Sequence, residues 1–110
     1  MQGGNLFNHL PEGPIPAEAF ESLASGGGCR IERIVSTGHA TPDGEWMEQD
    51  WDEWVLLVAG GAALTFEGEA ARRHLAAGDW LHIPAGTRHR VAWTSQSEVT
   101  VWLAVHYPAP

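Results

Sequence analysis

After Cys29 the chain is cut at short intervals by turn residues: Asp43-Gly44, Gly60-Gly61, Gly68, Gly78-Asp79 and Ala85-Gly86. This punctuation constrains the fold more than any other feature, because it leaves no room for long helices. The pieces between the turns are rich in β-branched and aromatic residues, and Ile31, Arg33 and Val35 alternate with Glu32 and Ile34. Period-two alternation marks strands with one face turned inward. The pattern predicts strands at 29–37, 44–49, 53–59, 62–67, 71–75, 79–83, 88–94 and 98–107. Eight short strands with no second helical block describe an all-β sandwich or barrel.

Residues 1–28 read differently. Pro11, Pro14 and Pro16 give an irregular arm, and Pro16 suits the first position of a short helix over 17–24. Phe20 and Leu23, three apart, would share one face of that helix, and Ser25-Gly26-Gly27-Gly28 would end it. The expected organisation is an arm and helix at 1–28 and a barrel at 29–110, together one domain. A chain of 110 residues is long enough to bury a core without staples.

Composition narrows the function classes. Fourteen acidic residues against six basic ones give a net charge of −8, a field that repels phosphate backbones and anionic lipid. Nucleic acid and membranes are therefore not expected partners. Cys29 is the single cysteine, which rules out an internal disulfide. The first residues lack the basic start and apolar run of a signal peptide. A cytoplasmic setting is the default expectation. Six tryptophans suit either a well-filled core or an aromatic pocket wall.

The segment 78–93 is the most informative. Gly78-Asp79 turns into a strand, Pro84-Ala85-Gly86 turns out of it, and His89 opens the next strand in a defined direction. Gly78, Pro84, Gly86 and His89 resemble the second cupin motif, G-x5-P-x-G-x2-H-x3-N, with Trp93 in place of the final Asn. Glu53, followed six residues later by Gly60, resembles the end of the first motif, G-x5-H-x-H-x3-4-E-x6-G. Its His-x-His pair is missing. A four-residue gap puts Trp46 and Glu48 there, and a three-residue gap puts Met47 and Gln49. The resemblance covers about residues 31–107. It implies a cupin double-stranded β-helix, a jelly-roll barrel with an interior pocket, and a homodimer. The run Gly44-Glu45-Trp46-Met47-Glu48-Gln49-Asp50 is also similar to a subgroup of small single-domain cupins.

The resemblance implies a divalent metal, Mn, Fe, Ni or Zn, held here by Glu48, Glu53 and His89. His39 is a weaker fourth candidate, in the Gly38-His39-Ala40-Thr41-Pro42 turn. Two carboxylates and one imidazole form a harder ligand set than three histidines. Trp46, Gln49, Val55, Trp93, Trp102 and His106 are the expected pocket lining. Alternation puts Arg88 and Arg90 on the face opposite His89, toward outer acids. Two functions stay open. One is a cupin binding a divalent metal, a small organic ligand or both; the other is a metal-free binding or sensing module with an aromatic-lined pocket. No residue pattern assigns a reaction.

Overall fold

The computed structural model describes all 110 residues, Met1–Pro110. Eight strands form in chain order: β1 (Ala19–Gly26), β2 (Cys29–Ser36), β3 (Trp51–Ala59), β4 (Gly61–Phe66), β5 (Arg73–Ala76), β6 (Trp80–Ile83), β7 (His89–Thr94) and β8 (Thr100–Pro108). They build a five-stranded sheet, β1-β2-β8-β3-β6, facing a three-stranded sheet, β5-β4-β7. Every pairing is antiparallel. No helix is present, so none is long and apolar enough to cross a membrane.

Two expected elements need correction. The helix expected over 17–24 is instead an edge strand, β1, paired with β2 from Ala19↔Val35 to Gly26↔Cys29. Gly27 and Gly28 join the two strands with φ of 60° and 80°, the paired positive angles of a type I′ hairpin turn. That turn drives the pairing, and a bulge between Ser22 and Ala24 shifts the register within it. The strand expected at 44–49 is a loop, attached through the single bridge Met47↔His89.

The core lies between the sheets. Val55, Leu57, Ala62, Leu64, Leu75, Ile83, Trp102 and Ala104 form one buried cluster. Residues of alternate parity on β3 and β8 (Val55 and Leu57; Trp102 and Ala104) meet the inward residues of β4 there, as the strand period requires. The Gly60 turn connects the sheets, with φ of 87°. A Cβ on Gly60 would lie 2.6 Å from Thr100 Cα, so close approach and backbone conformation both call for glycine. The N-terminal arm is tied across β2 by Arg33, whose Nη1 donates to the carbonyls of Leu6 and Asn8 at 2.9 and 2.6 Å.

Candidate functional site

The sheets enclose a cavity of about 200 Å³. Ile34, Val55, Leu64, Ile83, Val91 and Trp102 form its apolar walls, and exposed Phe20 and Met47 stand at its margin. Its polar groups are Glu18, Glu32, Gln49, Glu53, His89 and His106. Strand alternation delivers most of them: Glu32 with Ile34 on β2, Glu53 with Val55 on β3, Trp102 with His106 on β8, and His89 with Val91 on β7.

His89 is 2% exposed, and its backbone is fixed by a reciprocal pair of hydrogen bonds with Met47, at 2.7 and 3.0 Å. Its Nδ1 lies 2.8 Å from the Thr87 carbonyl. A carbonyl only accepts, so Nδ1 carries a proton, and in the neutral imidazole Nε2 presents a lone pair. Nε2 is 3.9 Å from Glu53 Oε1. Phe66 stacks against the ring at a centroid distance of 6.0 Å and fixes its plane.

Glu53 is 9% exposed, yet its carboxylate accepts only one hydrogen bond, from Gln49 Nε2 at 3.3 Å. His106 stands beside it, with Nδ1 3.5 Å from Glu53 Oε2. The Trp51 indole N–H donates to that Nδ1 at 2.9 Å, which leaves the His106 proton on Nε2, directed to Glu32 Oε1 at 2.9 Å. Both nitrogens of His106 are thereby occupied by protein partners. The Glu53 oxygens and His89 Nε2 therefore face the cavity as acceptors with few donors.

The sequence candidates separate clearly. Glu53, His89, Gln49, Val55, Trp102 and His106 line the cavity together. Glu48 is exposed and outside it. Met47 and Gln49 point inward, so the three-residue gap gives the register of the incomplete first motif, and Trp46 turns outward under the Arg88 guanidinium, 5.5 Å away. Trp93 is 41% exposed and packs over Gly61 rather than the cavity. His39 is spent on structure, accepting from the Thr37 N–H at Nδ1 and donating from Nε2 to the Ile15 carbonyl, at 3.0 and 2.9 Å. Arg88 and Arg90 pair with the outer acids Glu67 and Asp43.

Glu32, Glu18 and Phe20 are pocket residues that the sequence reading passed over. Glu32 and Ile34 do share one parity in the β2 alternation. That parity was the available clue.

A second polar constellation lies outside the cavity. Asp52 accepts from the Ala85 N–H at 3.0 Å and contacts His82 Nε2 at 2.8 Å. The backbone donor first, and His82 second, hold the Asp52 carboxyl below its ordinary value of 3.8. This pair secures the chain entering β3 to the turn that precedes β7.

The donor set does not complete a metal centre. No group of three or more His, Cys, Asp or Glu side chains is placed to share an ion. Met47 and Gln49 occupy the two His-x-His positions, which leaves Glu53 and His89.

The sequence profile described as the cupin domain matches residues 34–106. The chain belongs to the cupin family. A solved structure from Ralstonia eutropha JMP134, provisionally designated a mannose-6-phosphate isomerase, is 50% identical to this cupin. The match covers 99% of this chain and 100% of that one, with a TM-score of 0.96. A cupin superfamily protein from Desulfitobacterium hafniense DCB-2 shares the fold at 18% identity, with a TM-score of 0.75 over 98% of this cupin and 93% of that chain. A protein of unknown function from Rhizobium leguminosarum, 20% identical, gives a TM-score of 0.67 over 83% and 81% of the two chains. No curated protein matches. The all-β cupin barrel expected from the motifs is the observed architecture, without the short N-terminal helix.

Proposed function

We propose that this cupin binds a small organic molecule inside the barrel, without a resident metal, and that Glu53 and His89 are its polar anchors. The observation that carries the reading is His89 Nε2, without a hydrogen-bond partner in the protein and turned into a mainly apolar cavity beside Glu53, whose carboxylate accepts a single hydrogen bond. Their unused hydrogen-bonding capacity, facing an otherwise apolar cavity, is open to a ligand that donates to them. A concave, mainly apolar site with a few convergent polar groups is the usual form of a small-molecule site.

The alternative of a divalent metal has weaker support. Protein metal sites generally draw on three or more side chains, and no three His, Cys, Asp or Glu side chains are placed here to share an ion. The designation of the Ralstonia relative would suggest a phosphorylated sugar. No lysine or arginine lines the cavity, and sites for phosphate normally supply such a group.

The chain contains two methionines, Met1 and Met47, so a methyl-labelled sample has one reporter at the cavity margin and one at the terminus. A screen of small acids, sugars, alcohols and amines is expected to move the Met47 methyl resonance and leave Met1 in place. A Met47 resonance indifferent to every class would contradict the proposal.

A further inference from the structure

Resting on that reading of the barrel as a ligand pocket, we infer that its ligand is a small organic cation, a primary ammonium on a short apolar body. The cavity is lined by three carboxylates, Glu18, Glu32 and Glu53, and by no lysine or arginine. Glu32 has a cation nearby, Arg30 Nε at 3.7 Å, on a side chain that is 48% exposed. Glu18 accepts from the Ser36 hydroxyl at 2.6 Å. Glu53 has neither an arginine nor a strong donor, only the long bond from Gln49.

Hydrogen-bond polarity points the same way as charge. With a neutral His89 imidazole, its Nε2 and Glu53 Oε1 are two acceptors facing each other at 3.9 Å. His106 Nδ1, already accepting from Trp51, adds no proton to Glu53. Acceptors at this separation repel unless a donor lies between them, and an ammonium nitrogen carries three N–H groups and the balancing charge. An alcohol brings one donor and no charge. A phosphate or carboxylate brings further acceptors and a charge of the wrong sign beside three carboxylates.

The rest of the cavity fits the other end of such a molecule. Ile34, Val55, Ile83 and Trp102 surround the polar cluster with hydrocarbon. A bare metal ion would leave these walls without a partner. An alkylammonium engages both the acceptors and the walls, and the volume of about 200 Å³ keeps the body short.

The test uses compounds of one shape and different charge: n-butylammonium, butan-1-ol and butyrate, with mannose 6-phosphate as the phosphorylated comparison. Each is titrated into the full chain while the Met47 and Met1 methyl resonances are followed. Hydrogen bonds to charged groups predict butylammonium binding on the order of tenfold or more tighter than butan-1-ol, with butyrate weakest. Glu53→Gln, nearly isosteric, is expected to reduce that preference to about that of the alcohol, and Glu32→Gln to reduce it less. Methyl dispersion and far-ultraviolet circular dichroism verify the fold of each variant.

Equal affinity for butylammonium and butan-1-ol, or a preference unchanged in Glu53→Gln, would overturn the inference and leave the pocket reading intact. Tightest binding of butyrate or mannose 6-phosphate would overturn it in favour of an anion site. No response of Met47 to any of the four would remove the pocket reading, and the inference with it.

Discussion

At the scale of single residues, conformation and hydrogen-bond polarity explain most of what the motif residues do. Gly60 closes the first motif because a side chain there would collide with the Thr100 backbone at positive φ. Gly60→Ala is therefore expected to lower stability by more than about 1 kcal/mol, the scale on which compatible glycine substitutions help. A denaturant melt unchanged from the parent would refute this. Asp52 supplies a pH-dependent contribution. Its folded value is depressed, so the stability it adds is complete above its ordinary value of 3.8 and is lost as pH falls through the lower folded value. Asp52→Asn should accordingly melt below the parent near neutral pH, with the difference closing in acid below 3.8. A gap that stays constant or widens in acid would show that the Ala85 and His82 contacts do not act through ionisation.

Among elements, the second motif was legible because it is local. Gly78, Pro84, Gly86 and His89 specify two turns and the strand between them within twelve residues. The first motif was legible at Glu53 and Gly60. Its gap length was open in the sequence, because either count placed two residues without histidine; the bridge between Met47 and His89 settles it in favour of Met47 and Gln49. β1 was misread for a physical reason. The three-residue spacing of Phe20 and Leu23 suits a helix face, but the bulge at Ser22/Ala24 gives an edge strand the same irregular spacing. Glu32 escaped notice because its partner His106 is 74 residues away, and only the pairing of β2 with β8 brings them together.

β1 also carries a consequence for association. It is an edge strand exposed over all eight residues, and Phe20 and Leu23 are 61% and 42% exposed. Long exposed edges with apolar side chains invite pairing with another strand. We propose that β1 pairs with a second copy of this chain. Sedimentation should then show a dimer that Leu23→Glu weakens severalfold, and a parent that sediments as a monomer at high concentration would contradict it.

For the whole molecule, the barrel and the segments that cross it turn six polar side chains toward a mainly apolar cavity. Arg88 and Arg90 are paired outward, away from the cavity, to Glu67 and Asp43. The separation explains how a chain with a net charge of −8 can still present a defined pocket. Most acids lie on the exterior, where they favour solubility; Asp52 is buried against Ala85 and His82, and a small set surrounds His89 and His106. The resemblance to cupins implied the frame and drew attention to Glu53 and His89, which the fold brings to one cavity. It could not foretell the donor set, because that depends on which parity of the 44–49 loop faces inward.

Glu53 and His89 are proposed to hold an organic ligand rather than a metal. Elemental analysis of tag-free protein, after exposure to Mn, Fe, Ni and Zn and removal of loose ions, tests it most directly. Far less than one metal per chain is expected in the parent, unchanged in Glu53→Ala and His89→Ala. One metal per chain in the parent, lost in both variants, would contradict it.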